Sequence, residues 1–186
     1  LQKEKSELME WLKAIVIAVV FVIAIRTFIF TPTLVSGASM MPTYEDGDRV
    51  VVNIIGKQIS GLERFDVIVF KATEEKDYIK RIIGLPGDHI AYKDDVLYIN
   101  GNPYDEPYLN AYKEQLIDNG TLTQDFTLEE LTNVSTIPDG YLFVLGDNRR
   151  FSNDSRNPAV GLISMDTVIG KANIRFYPFD HFGIVK

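Results

Sequence analysis

Residues 67–100 read VIVFKATEEKDYIKRIIGLPGDHIAYKDDVLYIN, and this stretch decides the fold class. Its apolar runs, at residues 67–71, 78–83, 89–93 and 96–99, are rich in β-branched and aromatic side chains and too short for helices. Turn formers separate them: Leu85-Pro86-Gly87-Asp88, Asp94-Asp95 and Asn100-Gly101. The same grammar continues on both sides. Residues 48–53 follow Glu45-Asp46-Gly47, residues 141–145 follow Pro138-Asp139-Gly140, and residues 167–177 close the pattern. The expectation is a mainly β domain. The interval from about 104 to 136 breaks the rhythm, being polar with helical pieces such as residues 108–117, and reads as a partly helical insertion between two strands.

Upstream of Pro32 the pattern is different. Residues 11–30, WLKAIVIAVVFVIAIRTFIF, are apolar apart from Lys13, Arg26 and Thr27 near the ends. A helix rises about 1.5 Å per residue, so this run matches the roughly 30 Å hydrocarbon core of a bilayer. Lys13 and Arg26 are placed for snorkelling to opposite interfaces, with Trp11 and Phe30 as interfacial aromatics. A buried core helix would show a polar stripe, and none exists. A cleavable leader is suggested by the small residues Ser36-Gly37-Ala38, but the apolar run is longer than a leader's and Arg26 intervenes. The expectation is a single transmembrane helix. Lys3, Lys5 and Lys13 lie on its N-terminal side, and nothing basic occurs from Thr27 to Asp48. Positive charge stays inside, so residues 1–10 form a cytoplasmic tail and residues 31–186 an extracytoplasmic domain of a bacterial cell membrane protein.

Composition narrows the chemistry. Cys is absent and His occurs twice, which removes thiol catalysis and Cys-based zinc sites and leaves little for a His-rich metal centre; no metal and no cofactor are expected. Beyond the apolar run the chain carries 15 Lys and Arg against 23 Asp and Glu, so no nucleic-acid partner has an electrostatic basis.

Three clusters concentrate unusual choices: Ser36 to Thr43 (SGASMMPT), Tyr78 to Asp88 (YIKRIIGLPGD) and Gly146 to Arg156 (GDNRRFSNDSR). Singly, each is an ordinary turn, strand or capped loop. Together, behind one membrane anchor, they are specific.

On these blocks, and on Glu106-Pro107-Tyr108-Leu109 at the start of the insertion, the chain resembles the type I signal peptidases, in particular the single-span Gram-positive form. The resemblance covers almost the whole chain. It implies a β-rich catalytic domain lying against the membrane, with the Ser of Ser-Met-x-Pro, here Ser39, as nucleophile and the Lys of the second block, here Lys80, as general base. It implies that Ser152 hydrogen-bonds and orients the Lys ammonium group, and that Asp147, Arg149, Asp154 and Arg156 form a charged network holding the third block against the active site. Arg150 and Phe151 depart from the Asp or Leu followed by Asn that is usual there.

The physical chemistry sets a condition. A Lys of ordinary pKa, about 10.4, is neutral in only about 0.04% of molecules at pH 7 and cannot serve as a base. Burial lowers that value, and in a strand Lys80 shares a face with Tyr78 and Ile82, which must therefore be covered. The competing base would be His89 or His181, neither of which sits in one of the blocks' motifs. For the oxyanion, the Ser39 amide is the natural first donor. Some relatives supply a second from a Ser two residues earlier; here that position is Gly37, so a backbone group, a water or Ser36 must substitute.

Nine residues from Phe30 to Ser39 reach at most about 32 Å, so substrates must come from the same membrane. Signal peptides of exported preproteins, with small Ala-x-Ala-type residues before the scissile bond, fit. The resemblance implies that such a peptide pairs with strands near Leu34 to Gly37 and Asp77 to Ile79, with Val35 and Ile79 walling shallow pockets. The function expected is a membrane-anchored serine endopeptidase that removes signal peptides. The alternative is a membrane-tethered, non-catalytic assembly or adhesion domain derived from such an enzyme; retention of both Ser39 and Lys80 speaks against it.

Overall fold

The structure, a computed structural model, describes residues 2–28, 30–116 and 120–185. Helix α1 (Gln2–Phe28) leads into β1 (Phe30–Leu34). Then come β2 (Arg49–Asn53), α2 (Ile54–Ile59), β3 (Val67–Lys71), β4 (Asp77–Gly84), β5 (Ile90–Lys93), β6 (Val96–Ile99) and β7 (Asn102–Tyr104). After α3 (Asn110–Glu114), β8 (Phe126–Thr127) and α4 (Leu128–Thr132), the chain closes with β9 (Tyr141–Leu145), β10 (Ile163–Ser164), β11 (Val168–Tyr177) and β12 (Gly183–Ile184).

In α1 the side chains described are those of residues 9–23, all exposed. Among the described residues no helix is long and apolar enough to cross a membrane. The expected span of 11–30 is corrected at its end: the helix stops at Phe28, and Phe30 already pairs with Asn53 across β1 and β2.

Every strand pair is antiparallel among the described residues. The larger sheet runs β1-β2-β11-β3-β4-β9-β10, with β12 added to β11, and the smaller runs β7-β6-β5-β8. Bulges in β11 and near the end of β4 interrupt the register, and bulges sharpen local twist, which lets the large sheet curl. In β3 the apolar run is continuous because both faces are covered. Val67 and Val69 pack with Val35, Met40 and Tyr44, whereas Ile68 and Phe70 pack with Ile82, Leu142 and Val144. A third cluster, Ile83, Ile90, Tyr92, Leu97, Phe126 and Phe143 among others, joins the two sheets.

The insertion does more than bulge from a loop. Its β8 pairs with β5, and α4 starts with a capping box in which Thr127 and Glu130 satisfy each other's backbone amides. The expected helix of 108–117 is instead a 3-10 turn over Pro107–Leu109 followed by α3; Ile117 lies outside the described residues. His89 and Thr167, expected at strand starts, precede β5 and β11. The short helix α2, capped by the Asn53 side chain on Gly56 N, was not expected, because Ile54 and Ile55 extend the β-branched run.

Candidate active site

Strand β4 delivers Lys80 to the floor of a groove of about 360 Å³, and the segment after β1 delivers Ser39 to the same place. Lys80 Nζ lies 2.8 Å from Ser39 Oγ and donates to the carbonyl of Ile79, also at 2.8 Å. Lys80 is only 3% exposed. On its face of β4, Ile82 is buried and Tyr78 half-buried, with the Tyr78 ring 5.3 Å from Nζ. Burial pulls the Lys80 pKa down to about 8, against an opposing pull upward from Asp154 and Asp147. Neither histidine competes for Ser39: His89 bonds Glu129 at 3.0 Å on the smaller sheet, and His181 lies in the 3-10 turn over Phe179–His181.

The segment that carries Ser39 is tied down on both sides. Val35 N donates to Asp48 O at 2.8 Å, and Gly37 N to Asp46 Oδ1 at 2.7 Å. Gly37 has φ +88°, a left-handed conformation that side chains disfavour and glycine adopts freely. Asn148 then clasps the segment from the other side, its backbone amide donating to Ser39 O and its side-chain Nδ2 to Ala38 O, each at 3.0 Å. Among the described residues, the Ser39 amide makes no hydrogen bond to the protein.

The charged network is present with partners the sequence did not reveal. Asp147 is held by Arg81, in bonds of 2.9 and 2.7 Å between fully buried side chains, and also accepts from Thr43 Oγ1 at 2.5 Å. Arg149 donates to Glu106 at 2.6 Å and to the Tyr92 hydroxyl, while Tyr92 and Tyr108 donate to the same carboxylate at 2.7 and 2.6 Å. Arg156 grips Asp154 with two bonds of 2.8 Å and donates to Arg149 O at 2.7 Å; Asp154 in turn accepts from Gly146 N. The Arg and Asp of one block are thus joined mainly through residues far away in sequence. Arg81, Glu106 and Thr43 stand inside quoted motifs, yet nothing in those motifs tells which charge meets which.

Ser152 requires a correction. Its Oγ is buried without a hydrogen-bond partner, so it does not bond Lys80, whose amine instead contacts Ser39 Oγ and the Ile79 carbonyl. It packs instead against Gly146, where a Cβ would come within 2.2 Å of it.

The groove is lined by Leu34, Val35 and Gly37 on one side and by Asp77 and Ile79 on the other. Strand β9 pairs with β4 only from Arg81 onward. Among the described residues, the outer edge of β4 from Asp77 to Lys80 therefore carries no strand. An open edge, a second extended segment facing it and a hydroxyl in contact with a buried amine between them suit acyl transfer on an extended peptide, which is serine peptidase chemistry.

Comparison with known proteins agrees. The family model described as signal peptidase, peptidase S26, matches residues 8–177. A signal peptidase I of Bacillus caldolyticus is 50% identical over 166 residues, covering 89% of this chain and 90% of its own. A signal peptidase IB of Staphylococcus aureus is 47% identical over 182 residues, covering 96% and 94%. The crystal structure of a signal peptidase I from Enterococcus faecalis aligns with a TM-score of 0.55 at 45% identity, covering 59% of this chain and 95% of that one. The chain belongs to the signal peptidase family, peptidase S26, and is a peptidase that cleaves signal peptides.

Proposed function

We propose that Ser39 is the nucleophile and Lys80 the general base of this signal peptidase, acting on preproteins presented at a membrane. The observation that carries the assignment is the 2.8 Å contact between Ser39 Oγ and an amine whose pKa burial lowers to about 8. Near neutral pH a usable fraction of Lys80 is uncharged, and its lone pair takes the Ser39 proton as Oγ bonds to the scissile carbonyl carbon. Negative charge then develops on the carbonyl oxygen, within reach of the Ser39 amide. Lys80 returns the proton to the leaving amine, the mature protein departs, and a water deprotonated by the same amine hydrolyses the acyl ester. Asp147, Arg149, Asp154 and Arg156 position the loop through Asn148 and Gly146 and make no contact with the reacting atoms. Ser152 fills the space between that loop and the nucleophile.

An extended signal peptide adds to the open edge of β4 and faces Leu34 to Gly37, with Val35 and Ile79 bounding pockets that take small residues. The support for a bilayer anchor is the apolar sequence of residues 11–30 with lysines before it; that arrangement leaves residues 1–10 in the cytoplasm and the domain from residue 31 outside. The test is incubation of the purified protein with a preprotein and sequencing of the new N-terminus. Release after a small residue supports the assignment, and an intact preprotein opposes it.

A further inference from the structure

Phe151 is 78% exposed, yet its backbone is not loose. Its amide donates to Asn148 O at 3.0 Å, and the Asn148 amide donates to Ser39 O at the same distance. The backbone that carries the ring is thereby tied to Ser39 by two consecutive hydrogen bonds. Phe151 lines the catalytic groove and also a second recess of about 240 Å³ whose wall includes Tyr112, Leu116, Leu122 and Asn148. The groove residues Leu34 to Gly37 precede Ser39 in the chain, whereas the recess lies by Asn148 and by Tyr112. Phe151 therefore stands where the groove that holds Ser39 meets the recess.

We infer that Phe151 and this recess form a subsite for the substrate downstream of the scissile bond, taking an apolar side chain from one of the first two residues of the mature protein. The inference rests on the peptidase reading above. An aromatic ring held on a rigid turn contributes contact area with little ordering entropy, which suits a specificity contact. Tyr112, Leu116 and Leu122 supply the remaining apolar wall. Residues upstream of the bond are assigned to Val35 and Ile79, which do not line the recess, so the two preferences are separable.

The experiment measures kcat/KM of the full chain in detergent on peptides that differ at one position at a time. Gly and Leu are compared at the first and second residues after the bond, and Ala and Val at the third residue before it. The wild type is expected to favour Leu over Gly by about tenfold at one downstream position. Phe151→Ala should reduce that ratio to near one, Phe151→Trp should keep it, and the upstream ratio should be the same in all three. No downstream preference in the wild type, a preference untouched by Phe151→Ala, or a loss confined to the upstream ratio overturns the subsite. A wild type that cleaves none of the peptides overturns the peptidase reading itself, and with it this inference.

Discussion

The amide of Asn148 donates to the carbonyl of Ser39 at 3.0 Å, which binds the loop after β9 directly to the nucleophile. Whatever moves that loop moves Ser39, and the buried charges behind it therefore bear on catalysis without touching substrate.

Gly146 is the sharpest test of this coupling. A Cβ there would lie 2.4 Å from Ser39 O and 2.2 Å from Ser152 Oγ, and the first of these is backbone that cannot swing aside. Gly146→Ala should lower kcat by about a hundredfold through displacement of the nucleophile. It should also cost about 1–3 kcal/mol of stability as an overpacking change. Steady-state kinetics with denaturant unfolding checks both, and wild-type kcat would show that the loop and Ser39 move independently.

The Arg81 and Asp147 pair makes a different demand. Both side chains are fully buried, and Asp147→Ala leaves the guanidinium without its carboxylate. Such removal is expected to destabilise by about 3–5 kcal/mol, with loss of activity following. Replacing both with apolar residues of similar volume should recover much of the stability while activity stays low, because Thr43 also loses its acceptor. Chemical denaturation of the single and double variants decides it.

Why some of this was legible in sequence and some was not has a physical basis. Alternating runs and turn formers encode strands locally, and β3 to β6 fall within a residue or so of their expected places. Strands β1, β8, β10 and β12 are made by partners: Phe30–Leu34 is held by β2, and Phe126–Thr127 by β5. No local period announces them. In the site, Ser39 and Lys80 stood out because the blocks that hold them resemble signal peptidase motifs, and the groove they line is also lined by Leu34, Val35, Gly37, Asp77 and Ile79. The pairing of Arg149 with Glu106 bridges 43 residues, and Arg81 with Asp147 bridges 66, so charge counts alone could not match them. Ser152 misled because its Oγ packs against Gly146 and is buried without a hydrogen-bond partner, a packing relation that no local pattern encodes.

Orientation is tested on whole cells. With the apolar run from residue 11 to residue 28 in the bilayer, protease added outside spheroplasts should digest the β domain, and a reporter fused after Lys186 should read as external. A protected domain and a cytoplasmic reporter would reverse the assignment.

Ser39→Ala and Lys80→Ala should each abolish processing while the circular dichroism spectrum stays folded, since nucleophile and base act as a unit. Lys80→Arg should fail as well, because a guanidinium does not deprotonate. Substantial turnover by either Lys80 variant would remove it from the role of base.

The pH dependence joins mechanism to stability through one group. Only the neutral Lys80 amine can accept the Ser39 proton, so log kcat/KM for the free enzyme should climb with pH and level off above about 8. A histidine base would place that limb near its ordinary value of about 6.5. The sign of the stability effect follows from the same shift. The folded pKa lies below the unfolded value of about 10.4, so between about 8 and 10.4 the unfolded chain binds more protons and the folded state gains stability as pH rises. Below about 8 the buried ammonium weighs against folding. Lys80→Met removes that burden and should melt above the wild type at pH 7, with the difference shrinking toward pH 10, where Lys80 is neutral in the fold. Thermal melts of the two proteins over this range, run beside the rate profile, give two readings of one pKa. A rate already flat from pH 7 upward, with acylation shown to be rate-limiting, or a melting difference independent of pH, would mean that Lys80 is not the group titrating in the groove.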